Sequence, residues 1–150
     1  VILTVIVGLL TAAVIVVGLV QLLVFKRSAQ HFDELRQTLA TMERVVADSK
    51  GFTSDEGKEA ERRLRDVIGR LRNRKVRRSA ERVMERWKQA FASQPGPWIY
   101  NLSGPETEAD RAHWKRGALH QERCDECLAA IEDTKGAMNR VERFATPSLR

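Results

Sequence analysis

Residues 1–25 read VILTVIVGLLTAAVIVVGLVQLLVF, with no charged side chain and one strongly polar residue, Gln21. At about 1.5 Å of rise per residue, a helix of this length spans roughly 37 Å. A bilayer's hydrocarbon core is about 30 Å thick and takes about 20 apolar residues to cross. The run therefore fits, with length left over for tilt. Its Val, Ile, Leu and Phe side chains each contribute about −0.3 to −0.6 kcal/mol near the bilayer centre, a sum on the order of −5 to −10 kcal/mol. A buried helix in so small a protein would not stay apolar on every face for so long. A cleaved signal peptide would show a basic leading region, a shorter apolar run and a small-x-small cleavage site; Phe25-Lys26-Arg27-Ser28 is not such a site. The stretch predicts a transmembrane helix over residues 1–25.

Lys26 and Arg27 follow the span at once, and no basic side chain precedes it in the sequence. The positive-inside tendency then places the N-terminus outside and the C-terminal part in the cytoplasm. Gly8 and Ala12 have the small-xxx-small spacing that lets two spans approach, so a homo-oligomer is one expected partner state. The remaining 125 or so residues suffice for one small domain. Net charge is +6, from 26 Lys and Arg against 20 Asp and Glu. Two Cys in a cytoplasmic domain predict reduced thiols, not a disulfide framework. Aromatics are few and Pro is scarce outside one loop, a composition that suits helices.

From Ser28 to Lys50, Phe32, Leu35, Leu39, Met42 and Val46 recur at alternating steps of three and four. That heptad seam predicts a coiled-coil strand or a bundle helix with one buried stripe, continuing straight out of the membrane over about 28–50. Gly51 is the expected cap, with Phe52 folding back onto the last turn. Thr53 and Glu56 have capping-box spacing, and a helix over about 54–72 follows, its stripe Ala60, Leu64, Val67, Ile68 and Leu71. The next stripe, Val76, Ala80, Val83, Trp87, Ala90 and Phe91, lies on nearly the opposite face. One straight helix cannot bury both against one partner, so the sequence predicts a bend or short turn near Arg72-Asn73-Arg74, or a helix that switches partners there, with a further helix over 76–93. Asn73 and Gly69 read as helix-weakening residues. A loop over 94–104 comes next. A helix over 105–144 starts at Pro105 and buries a drifting stripe of Trp114, Ala118, Cys124, Cys127, Leu128, Ile131, Met138 and Val141. Residues 145–150 form a tail. The predicted fold is all-α: a single transmembrane helix, then a small antiparallel bundle of three to four helices occupying 26–144.

Three stretches are candidates for function. Arg70, Arg72, Arg74, Lys75, Arg77 and Arg78 crowd the bend, and residues 51–93 hold thirteen basic and seven acidic residues, enough to account for the whole net charge. Such a cluster contacts anionic lipid headgroups or nucleic acid, or is a helix face solvated beside Glu partners. Interleaved aromatics and a recognisable motif are both missing, which argues against nucleic acid. Trp98, Ile99, Tyr100 and Leu102 make the 94–104 loop unusually apolar, either as a plug for one end of the bundle or as a docking surface for a protein partner.

The third is His120, Cys124 and Cys127, which share a helix face and could approach one Zn²⁺ with a fourth ligand such as His31. His113 lies roughly 10 Å away along the axis, too far to serve. A structural zinc site pairs Cys-x-x-Cys at a turn with a second motif, and a redox Cys-x-x-Cys sits at a helix N-terminus. Buried packing of small side chains explains the pattern without a metal, so no cofactor is expected. Nucleophilic triads, phosphate loops and dinucleotide fingerprints are absent from the sequence, and an enzyme is not expected.

A span followed by charged cytoplasmic helices resembles, in topology, anchored stalk proteins such as the peripheral-stalk b subunit of rotary ATP synthases. The Pro-Gly-Pro-Trp loop and the bent second region depart from that long stalk. The expected role is a membrane-anchored, non-catalytic scaffold or adaptor for a protein partner. The alternatives are a metal- or redox-responsive domain using His120, Cys124 and Cys127, and a basic patch binding anionic lipid or nucleic acid.

Overall fold

A computed structural model of the chain describes residues 2–48, 52, 54–96 and 106–145, apart from the side chains of 2–5, 25, 28 and 145. Among the described residues there are five helices and no strand: α1 (Ile2–Ala29), α2 (Phe32–Ala47), α3 (Asp55–Arg70), α4 (Arg74–Ser93) and α5 (Glu108–Ala145).

One helix, α1, is long and apolar enough to cross a membrane. Its Ile6–Val24 segment has mean hydropathy 2.6, and none of it is buried against the other described residues. The Thr11 hydroxyl, the polar group in mid-run, donates to the Val7 carbonyl at 2.8 Å. The helix does not run on into α2 as the heptad spacing suggests. The chain turns at Gln30–His31, where His31 takes φ 78°, a left-handed conformation uncommon outside glycine. The physical reason lies in the two apolar surfaces. That of α1 faces outward on all sides, whereas the seam of α2 must face other helices of the chain. All five seam residues, Phe32, Leu35, Leu39, Met42 and Val46, are buried there.

Helices α2 to α5 share one core. The α3 stripe buries Ala60, Leu64, Val67 and Leu71, and the α4 stripe buries Val76, Ala80, Val83, Trp87 and Ala90. Between them Leu71, Arg72 and Asn73 leave helical geometry, where the apolar face changes sides. Asn73 does more than weaken a helix. Its side chain accepts from the backbone N–H groups of Lys75 (3.1 Å) and Val76 (3.2 Å), so it caps α4, which begins at Arg74.

Other local expectations shift by a residue or a face. The N-cap of α3 is Ser54, accepting from the Gly57 N–H at 3.1 Å, while Glu56 pairs with Arg44 across to α2. Thr107 and Asp110 cap α5 reciprocally: the Asp110 carboxylate accepts from the Thr107 N–H (2.8 Å), and the Thr107 hydroxyl oxygen accepts from the Asp110 N–H (3.2 Å). The helix therefore begins at Glu108, not at residue 105. Phe52 is buried in the shared core and packs on the Trp87 ring of α4, with centroids 4.7 Å apart. Phe91 (48% exposed) and Trp114 (60%) leave the buried stripes predicted for them, and Ala118 is exposed as well. The cap expected at Gly51 lies outside the described residues.

Ion pairs register the helices. Arg86 meets Glu126 at 3.0 Å, and Ala90 meets His120 four residues further along α4, so α4 and α5 are followed in opposite directions. On α2, Arg36 pairs with Glu142 and Glu43 with Lys135, again with numbers rising on one helix as they fall on the other.

Candidate functional site

The first candidate is the His120, Cys124 and Cys127 face of α5. His120 is buried beside the C-terminal end of α4, its Nδ1 3.1 Å from the Ala90 carbonyl oxygen and 3.2 Å from Ser93 Oγ. The Ser93 hydroxyl donates to that same carbonyl at 2.9 Å. An acceptor at this spot assigns the proton to Nδ1 and leaves Nε2 as an acceptor. Nε2 faces Cys124 Sγ at 3.6 Å. The Phe52 ring closes the site edge-on to the imidazole, 5.8 Å between centroids.

Burial dominates the chemistry here. It raises the Cys124 thiol above its ordinary range, with the Asp125 charge adding to the effect. It pushes the Cys127 thiol up to about 12. With no cation beside them both thiols are therefore protonated at neutral pH, the unreactive form of a thiol. Among the described residues, no three His, Cys, Asp or Glu side chains are placed to hold a metal ion. His31 is remote. It sits 3.5 Å from Glu34 at the start of α2, the region that pairs with Glu142, and Glu142 lies roughly 33 Å along α5 from His120.

In the folded chain at pH 7.5, Cys127 is expected to react with a maleimide on the order of a thousandfold more slowly than in denaturant, from thiolate fraction alone. Mass spectrometry of quenched time points measures this. Labelling at the unfolded rate would show the core open at this point.

The second candidate is the basic bend. Of its six cations, two are held in ion pairs: Arg70 with Glu34 at 2.5 Å and Arg77 with Glu81 at 3.6 Å. The hydrogen bond from Arg70 holds the Glu34 carboxyl below its ordinary range. Arg72 is exposed on the turn. Arg74, Lys75 and Arg78 open onto a groove of about 760 Å³ between the first half of α4 and the last turns of α5. Two further cations line it, Arg82 from α4 and Arg140 from α5. Ala137, Val141 and Phe144 supply its apolar side, and Phe144 is 79% exposed.

Arg74, Arg78 and Arg82 stand four residues apart, so they form a ladder with steps of about 6 Å along one flank of α4. Among the described residues, no carboxylate forms an ion pair with any of the five groove cations. Elsewhere pairing is dense. Arg62 and Arg63 both donate to Glu59 and together lower its carboxyl to about 2. The groove thus gathers five cations, from two helices, that no carboxylate among the described residues neutralises.

No family model, characterised protein or solved structure matches this chain. The groove lies at the end of the helical body that α1 enters: Arg36, in the first turns of α2, pairs with Glu142 next to the groove's Val141, Ala29 packs on the core, and α1 touches α5.

Sequence reasoning found Arg74, Lys75 and Arg78 from their crowding and missed Arg82, Arg140 and Phe144. Arg82 continues the four-residue ladder and was within reach of periodicity. Arg140 and Phe144 are 58 or more residues from Arg82 and join it only through the pairing of α4 with α5. The apolar loop residues Trp98, Ile99, Tyr100 and Leu102 lie outside the described residues.

Proposed function

We propose that this protein is a single-span, membrane-anchored, non-catalytic scaffold or adaptor. In this arrangement α1 crosses the bilayer with its N-terminus outside. Helices α2 to α5 form a small antiparallel bundle in the cytoplasm, and the basic end of that bundle rests on anionic headgroups while the body holds a protein partner at the membrane.

One observation carries the proposal: five cations without a carboxylate partner line one groove at the end of the body where the exposed apolar helix joins it. The 19-residue, largely apolar segment Ile6–Val24 is covered by nothing else among the described residues, and an apolar surface of that extent is stable in lipid, not in water. Lys26 and Arg27 follow the span directly, which favours the cytoplasmic side for what comes next. The cytoplasmic leaflet carries the anionic lipid, and each Lys or Arg near its surface contributes about 1 kcal/mol. An anchored body already lies within a Debye length of that surface, so lipid is favoured over nucleic acid as the partner of the bend. The buried, protonated thiols support a non-catalytic role for Cys124 and Cys127.

Limited trypsin digestion of the full chain in vesicles, with the helical body outward, tests this. Cleavage after Arg72, Arg74 and Lys75 is expected to slow when phosphatidylglycerol is added to phosphatidylcholine, while cleavage after Arg111 and Arg116 stays constant. Equal digestion in the two lipids would overturn the lipid contact.

A further inference from the structure

The groove between α4 and α5 has two unlike walls. One is the cation ladder of Arg74, Arg78 and Arg82, extended by Arg140 from the opposite helix. The other is apolar, made by Val141 and Phe144 at the end of α5. A surface meant only to lie flat on charged headgroups needs cations and no apolar wall. A site for a free phosphate needs cations closing around it and equally no exposed phenylalanine. An exposed aromatic ring beside uncompensated guanidinium groups suits a molecule that is anionic at one end and apolar at the other.

Geometry fits the same molecule. Arg140 and Phe144 are one turn apart on α5, so charge and apolar surface meet within about 6 Å along the helix. The planar, multidentate guanidinium groups suit phosphate oxygens. Phe144 lies in the last turn of α5, on the side of the body that α1 enters, so the apolar wall faces the source of such molecules. The volume, about 760 Å³, accommodates a phosphate headgroup with the first part of an acyl chain and not a whole lipid, which would leave the remaining chain in the bilayer.

We propose that this groove binds one anionic phospholipid drawn from the adjoining leaflet. Arg78, Arg82 and Arg140 take its phosphate, and Val141 and Phe144 take the start of its acyl chain. This rests on the membrane-anchored reading above and adds a defined stoichiometry and a site to a diffuse surface contact.

The test uses the full chain in a neutral detergent, with native mass spectrometry after adding phosphatidylglycerol or phosphatidylcholine. One phosphatidylglycerol is expected to remain bound, and phosphatidylcholine is not. The paired change Arg82→Gln with Arg140→Gln should lower retention by at least about tenfold, from the loss of two guanidinium–phosphate contacts. Phe144→Ser should lower it as well, and because the ring is exposed its loss leaves the fold intact. Arg111→Gln with Arg116→Gln removes the same charge at the far end of α5 and serves as the control. Glycerol phosphate, which has the headgroup without tails, should not displace the lipid at millimolar concentration.

The proposal is overturned if the control pair lowers retention as much as the groove pair, if several lipids bind in a graded series, or if glycerol phosphate competes as well as lipid does. If the groove pair loses the bound lipid yet keeps its trypsin protection on anionic vesicles, the site and the surface contact are separate and both stand. If protection is present in wild type and no single lipid is retained, only the site fails.

Discussion

Two lysines placed in the middle of α1, Leu10→Lys with Val14→Lys, are expected to release the protein from membranes. Each change removes an apolar contribution of about 0.3–0.6 kcal/mol and adds a cost of about 2.5–3.5 kcal/mol at the bilayer centre. The pair therefore shifts insertion by about 6–8 kcal/mol, as large as the whole driving force of the segment. Leu10 and Val14 are 62% and 71% exposed, so neither replacement disturbs the core of the helical body. Gln21→Lys, near the end of the run where a long side chain reaches the interface, should change little. Alkaline carbonate extraction followed by flotation gives the answer. Wild type and Gln21→Lys should float with lipid, and the double variant should not. If the double variant floats as well as wild type, α1 is not the anchor.

The long apolar helix was plain in the sequence because crossing lipid imposes one requirement, an unbroken apolar run, and residues 1–25 have that length and composition. The core stripes of α2, α3 and α4 were equally legible, since a periodicity of three and four has few other uses. The reversal of face between Val67 and Val76 called for a bend, a short turn or a change of partner helix, and the chain leaves helical geometry at Leu71, Arg72 and Asn73. What failed was local chemistry that depends on which backbone state wins. Asn73 weakens a helix and caps a helix by the same means, a side chain that bonds nearby backbone groups. The sequence shows that capacity without showing that Asn73 takes ψ 111°, outside the helical range, just before α4. Thr107 with Asp110 was passed over for Pro105 on similar grounds. Phe91 and Trp114 belong to apolar patterns, yet they are 48% and 60% exposed, because periodicity marks a face without saying how far the neighbouring elements cover it.

Site residues divide the same way. Arg74 and Arg78 are near neighbours in sequence, and crowding exposed them. Arg140 meets them only because α4 and α5 run opposite ways, which one stripe on each helix does not specify. Pairing also sorted the cations in a way composition never could. Arg70 and Arg77 look identical to Arg74 and Arg78 in the sequence, yet Glu34 and Glu81 neutralise the first two and leave the others open. Net charge is thus a poor guide to the basic surface. The count of partners around each guanidinium decides where an anion finds room.

The core of the body should depend most on Trp87. It is 1% exposed, the bulkiest of the fully buried side chains, and its ring carries Phe52, which in turn covers His120. Trp87→Ala is expected to cost about 3–5 kcal/mol, the sum of lost transfer free energy and the cavity left behind. A small domain holds about 5–15 kcal/mol in total, so this one change brings the body close to unfolding. Trp87→Phe keeps most of the volume and should cost much less, about 1–2 kcal/mol. Phe91→Ala, on the 48% exposed side of the same helix, should stay within about 1 kcal/mol. Denaturant titrations of the full chain in neutral detergent, followed by circular dichroism, rank the three. Equal losses for Trp87→Ala and Phe91→Ala would show that the ring does not anchor the core. The variant also separates the two halves of the molecule. Because α1 buries none of its apolar run against the body, Trp87→Ala should still float with membranes. It should lose the bound lipid, since the groove exists only while α4 and α5 are paired.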